Sequence, residues 1–171
     1  HGYERIRGEV HAEIREHGCV RGELSSSALS TAVAAFALQL GQAADREPRT
    51  RRAVAWLTAH VNADGGWGDT VRSPSNLSTT LLVRSALAGL GVAASHPVLA
   101  SADAWIGEVA GSTAPDAIVD AVLRHYGKDR TFSIPILTMC ALGGLLGPPE
   151  EAWRRVPQLP FELAAFPHGM Y

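Results

Sequence analysis

The side chains that could do chemistry in this 171-residue chain are mostly acids, and they are scattered. Asp64, Asp69, Asp103, Asp116, Asp120 and Asp129 each stand without a second carboxylate beside them in sequence. A carboxyl group that is to donate a proton at neutral pH must be kept neutral by burial or by a neighbouring charge. A lone exposed Asp, with an ordinary pKa near ~4, cannot do this. Asp116 and Asp120 are four apart on one helical face, flanked by Val119 and Val122, and read as a solvated pair. The seven histidines (His1, His11, His17, His60, His96, His125 and His168) include no His-x3-His pair, so no metal site is expected. Ser25, Ser26 and Ser27 follow a glycine only loosely, and no Gly-x-Ser-x-Gly nucleophile elbow occurs. In "YGKDRTFS" (126–133), Lys128 and Arg130 flank Asp129 at a helix start, where backbone N–H groups and cations can meet an anion. A salt-bridged helix cap is the plainer reading of the same residues. Arg72 in "GDTVRSP" carries the same two readings. Arg72, Lys128 and Arg130 are therefore the candidate ligand contacts, with no catalytic residue, metal or cofactor expected.

Composition narrows the classes. Apolar residues make up 46% and charged residues 19%, the balance of a globular domain with a real core. The length fits one domain, residues 1–171. A net charge of -2 with no basic block argues against nucleic acid. Cys19 and Cys140 fit neither zinc nor redox spacing and read as reduced cytoplasmic thiols. No apolar run reaches the ~18–20 residues needed to cross a membrane. The chain begins at His1, and we expect a fragment that lacks its natural start.

The elements that must position these residues are helices. Residues 3–17 place Ile6, Val10 and Ile14 four apart among charges, which predicts an amphipathic helix. Helices are predicted over 27–41, 48–61, 77–90, 97–109, 115–126, 130–146, 149–155 and 159–166. Asn76 serves as a cap, and Pro97 and Pro115 sit at first-turn positions. Pro135 interrupts the seventh and Gly147-Pro148-Pro149 stops it. No sustained alternation predicts a strand.

The chain also repeats. "ALSTAVAAFAL" (28–38) aligns without a gap on "NLSTTLLVRSA" (76–86), a period of 48 residues. Gly22-Glu23 precedes the first copy and Gly68-Asp69 the second. A helical hairpin of this length buries its apolar face only against neighbouring copies. The expected fold is all-α, with antiparallel hairpins closing into an α-barrel, toroid-like, or a large part of one. Between the copies, "DGGWGDT" (64–70) places Trp67 among glycines at a helix end. Gly65 and Gly66 permit a left-handed turn there, and Trp67 reads as a ring packed over the preceding helix.

This stretch resembles the QW motif of the squalene-hopene cyclase and class II terpene cyclase superfamily. The matching residues are Arg52, Ala53, Trp56, Leu57 and Gly65-Gly66-Trp67, with Val61 where the family has Gln. That Gln ties a helix end to a neighbouring Trp loop, so the resemblance leaves its bond without a donor here. "GCVRGELSSSALSTA" is similar to the family's Gly-x-Trp-x-Gly loop, with Val20 in the Trp position. The tail resembles the run into Val-Pro-x-Leu-Pro-x-Glu, as Val156, Pro157, Leu159, Pro160 and Glu162. The resemblance covers most of residues 18–167. It implies the smaller, γ-type barrel, with N-terminal helices abutting a missing β-type barrel. Neither the D-x-D-D acid motif of class II cyclases nor the D-D-x-x-D magnesium cluster of class I occurs. The resemblance thus implies an accessory barrel that shapes a cavity for a linear isoprenoid, completed by a β-type barrel in the same longer chain or a second subunit. The alternative is a non-catalytic helical module that binds a prenyl chain or a protein partner. "LPFELAAFP" (159–167) reads first as a helix buried against the other barrel and second as a peripheral membrane contact of a cytoplasmic protein.

Overall fold

The computed structural model describes residues 2–21, 25–42 and 44–158. These form eight α-helices and no strand: α1 Gly2–His17, α2 Ala28–Leu40, α3 Arg46–Ala59, α4 Leu77–Gly89, α5 Pro97–Ala110, α6 Pro115–Tyr126, α7 Arg130–Leu142 and α8 Pro149–Arg155. The ninth predicted helix, 159–166, and the Leu-Pro-x-Glu tail lie outside the described residues.

Local chemistry explains where the helices start. Ser27 caps α2 by accepting the Ser30 N–H at 3.1 Å, and Asn76 caps α4 by accepting the Thr79 N–H at 2.9 Å. The two caps are 49 residues apart, one more than the period of the sequence match, so the matched Leu-Ser-Thr triplets sit one position out of step in their helices. Stops are equally local. Leu145 N–H bonds Cys140 O at 2.8 Å and Gly144 N–H bonds Ala141 O at 3.1 Å, while Gly144 has φ 77. Val92, Gly91 and the end of α4 repeat that pattern. Both are Schellman closures. This is why α7 ends at Leu142 rather than running to 146. Pro135 lies inside α7, on its exposed side, without ending it.

The helices pack as an arc of hairpins, a large part of an α-barrel. α2, α4 and α7 lie in series, with α3 behind α2, α5 behind α4, and α6 and α8 behind α7. The series runs in one direction. Phe36 abuts Gly89 near the C-terminal ends of α2 and α4, and the Ser78 hydroxyl bonds the Tyr126 hydroxyl at 2.6 Å beside the start of α7. α4 is the central helix, buried through Leu81, Leu82, Val83, Ala86 and Leu87. Arg84 on α4 reaches Asp103 on α5 through two bonds of 2.8 and 3.0 Å, a cross-brace between layers. Asp116 is exposed, as expected, and Arg155 of α8 donates to it at 2.7 Å, a partner 39 residues away that no helical spacing shows. α1 is the exception to the packing, with none of its residues buried.

Both cysteines are free, Cys19 exposed and Cys140 buried. Burial pushes the Cys140 thiol up to about 12, against the opposing contact from Ser85, so it packs as a small apolar side chain.

Candidate functional site: the Trp loop and an apolar groove

Two features stand out here, a hydrogen-bonded loop and a groove lined by α2, α4 and α7. The loop spans residues 60–76. Its centre is Trp67, 1% exposed. The indole N–H donates to Leu57 O at 3.0 Å, which ties the ring to the last turn of α3. The Trp67 backbone N–H donates to Thr80 Oγ1 at 3.0 Å, and Trp67 O accepts the Asn76 N–H at 3.0 Å. One residue thus joins the end of α3 to the start of α4.

Two aspartates finish the knot. Asp69 accepts from the Thr79 hydroxyl at 2.5 Å and from Asn76 Nδ2 at 2.9 Å, and these bonds hold its carboxyl below the usual range. Asp64 accepts from the Ser75 hydroxyl at 2.7 Å, the Gly66 N–H at 3.1 Å and the Trp105 indole N–H at 3.1 Å. The Ser75 bond is the largest cause of its lowered pKa. Gly65 takes φ 91 and lies against the backbone of Ser101 on α5, so α5 too is pinned to the loop.

A group whose folded pKa is depressed stabilises the fold above its unfolded pKa and loses that contribution as pH falls through the folded value. The chain should therefore lose stability as pH drops below about 4, the unfolded Asp value. Asp69→Asn should flatten this acid limb in chemical denaturation run between pH 5 and pH 2. An unchanged slope would show that the Asp69 bonds contribute nothing.

The groove lies on the other face. It holds about 590 Å³ between α2, α4 and α7. α2 supplies Leu29, Val33, Phe36 and Leu40. α4 supplies Leu82 and Ser78, the latter bonded to Tyr126. α7 supplies Phe132, Ile136, Met139 and Leu142. Val33, Leu40, Phe132 and Leu142 are exposed, which leaves one long side of the groove open to water. Groups of exposed apolar side chains of this kind mark binding surfaces.

The residues singled out from sequence fall in separate places. Lys128 and Arg130 are exposed at the α7 start, next to Thr131 and Phe132 of the groove. Asp129 between them caps α7 by accepting the Thr131 N–H at 2.8 Å. Neither cation has an ion pair among the described residues. Arg72 is exposed on the Trp loop and does not line the groove. Arg52 is exposed on α3, while Trp56 stacks on His60 with ring centroids 4.2 Å apart. Val61 is half-buried. Among the described residues no group of three His, Cys, Asp or Glu side chains is placed to hold a metal. No described helix is long and apolar enough to cross a membrane. The residues of the groove are not assigned from sequence: Leu29, Val33, Phe36 and Leu40 form a stripe at helical spacing that reads there as a core face.

Against known protein families, residues 4–141 match the squalene-hopene cyclase N-terminal domain. The chain belongs to that family. No curated protein and no solved structure matches it. The family match starts inside α1 and ends within α7, so it takes in both the Trp loop and the three helices that line the groove.

Proposed function

We propose that this domain is the accessory, γ-type barrel of a class II terpene or triterpene cyclase. In this role its groove forms one wall of the cavity for a linear polyprene. The observation that carries the reading is the 590 Å³ apolar groove left open along one side, on a chain of this family. A flexible hydrocarbon is held by shape and apolar contact, and the groove offers mostly aliphatic and aromatic side chains, with the Ser78–Tyr126 hydroxyl pair, Thr131 and Thr138 among them. In this reading Lys128 and Arg130, beside its Thr131 and Phe132, meet the diphosphate of a prenyl substrate.

The protonating acid has to come from elsewhere. An alkene takes a proton only from a carboxyl group that is still protonated, and both Asp64 and Asp69 are driven toward the ionised form by donated hydrogen bonds. Asp103 and Asp116 are engaged by arginines. A second barrel, in the same longer chain or a separate subunit, supplies the acid and closes the cavity in this reading. The domain needs no cofactor for it, and its surroundings are the cytoplasm or the membrane surface from which such substrates partition.

Incubating the purified chain with squalene, 2,3-oxidosqualene or geranylgeranyl diphosphate should yield no cyclic product by gas chromatography of the extract. Adding a polypeptide that bears the acid-carrying barrel should bring cyclisation. Cyclic product from the chain alone would overturn the proposal and return attention to Asp64, Asp69 and Asp129. A second reading, a non-catalytic module that binds a prenyl chain, is favoured by the groove being preformed. It predicts binding with no cyclisation under either condition.

A further inference from the structure

Helix α1 presents an apolar stripe that none of the described residues covers. Tyr3, Ile6, Val10 and Ile14 are all exposed, at 72%, 55%, 37% and 47%, and they share one face at spacings of three and four. The groove-side stripe of α2 is Leu29, Val33, Phe36 and Leu40. Tyr3 to Ile14 and Leu29 to Leu40 are each eleven residues apart, so both stripes are ~16 Å long at ~1.5 Å per residue. Residues 18–27 connect the two helices. Ten residues reach up to ~33 Å, more than enough for an antiparallel return. A short tether of this kind raises the effective concentration of one surface for the other to about the millimolar range.

Charge fits the same orientation. An antiparallel return brings the C-terminal end of α1 to the starts of α2 and α7. Glu13 and Glu16 lie there on α1, both within 4 Å of the His17 ring, with Arg15 in the same turn. Lys128 and Arg130 stand at the start of α7 without an ion pair among the described residues.

We infer that α1 folds back over the α2–α4–α7 groove of its own chain, antiparallel to α2, as a strap that covers the apolar wall. Ile14 then meets the Leu29 end and Tyr3 the Leu40 end. Docked α1 competes for the groove with any prenyl chain or second barrel, so the empty domain is covered in water and opens when a better apolar partner arrives.

Hydrogen exchange with mass spectrometry on the full 171-residue chain tests this without substrate, so its outcome is separate from that of the cyclisation assay. The comparison is with Val10→Asp combined with Ile14→Asp. Both sites lie on a helix with no buried residue, so the rest of the fold is unaffected. An isolated helix of this length is marginal in water. In the parent, α1 amides should exchange on the order of 10²-fold more slowly than in the double variant, at every protein concentration. Equal exchange in the two proteins would overturn the inference. Protection that grows with concentration alongside a dimer mass would also overturn it, in favour of exchange of α1 between two copies.

Discussion

Trp67→Ala should cost the fold about 3–5 kcal/mol, the range for large aromatics removed from cores. The ring is 1% exposed and belongs to the main core cluster. Little can collapse into the space it leaves, because the neighbouring backbone is fixed. Gly65 lies against Ser101, and Asn76 and Thr80 hold the Trp67 backbone. The lost indole bond is the smaller part, since Leu57 O keeps the His60 N–H at 3.3 Å. Trp67→Phe separates the two terms. It keeps most of the ring and removes the donor, so it should cost about 1–2 kcal/mol. Domains of this size are stable by roughly 5–15 kcal/mol, so the alanine variant gives up about a fifth or more of the total. Urea titration followed by far-ultraviolet circular dichroism measures both. A loss under about 1 kcal/mol for Trp67→Ala, the usual surface value, would show that the ring is not what joins α3 to α4.

Gly68→Ala should cost about 2–3 kcal/mol, an overpacking value for one added methyl. The cause is space. A Cβ on Gly68 would run into the carbonyl oxygens of Ser73 and Pro74, which are backbone and cannot rotate away. The loop would have to open at the point where Asn62 Nδ2 donates to Ser73 O and to the Ser75 hydroxyl. Those bonds close the same turn that positions Asp64 and Ser75, so the strain spreads to the start of α4. Gly107→Ala is the control. Its Cβ would meet only the Thr113 methyl, at an ordinary 3.5 Å, and a helical Gly→Ala change stabilises by up to ~1 kcal/mol. The two variants should therefore shift the urea midpoint in opposite directions. A neutral Gly68→Ala would mean that the loop has slack which the packing around Trp67 does not allow.

The helical nature of the chain, and most of its helix limits, were legible in the sequence because the signals are local. Ser27, Asn76, Pro97, Pro115 and Asp129 act within one turn of where they stand, through a cap bond or a fixed φ. The repeat and the Trp loop were legible for the same reason, and with them the cyclase family. Where local signals compete, the reading slipped. The apolar run predicts α7 on to 146, whereas Gly144 in a left-handed turn closes it at Leu142. What only the tertiary structure decided is which distant side chains meet. The Arg155–Asp116, Arg84–Asp103 and Trp105–Asp64 contacts span 39, 19 and 41 residues, and no spacing rule brings them together. The groove is of the same kind. Each of its stripes looks in sequence like one more core face, and nothing in α2, α4 or α7 alone shows that these three faces are left facing water. That depends on how many helices stand beside them, which is a property of the packed arc, and it is there that the domain's proposed work is done.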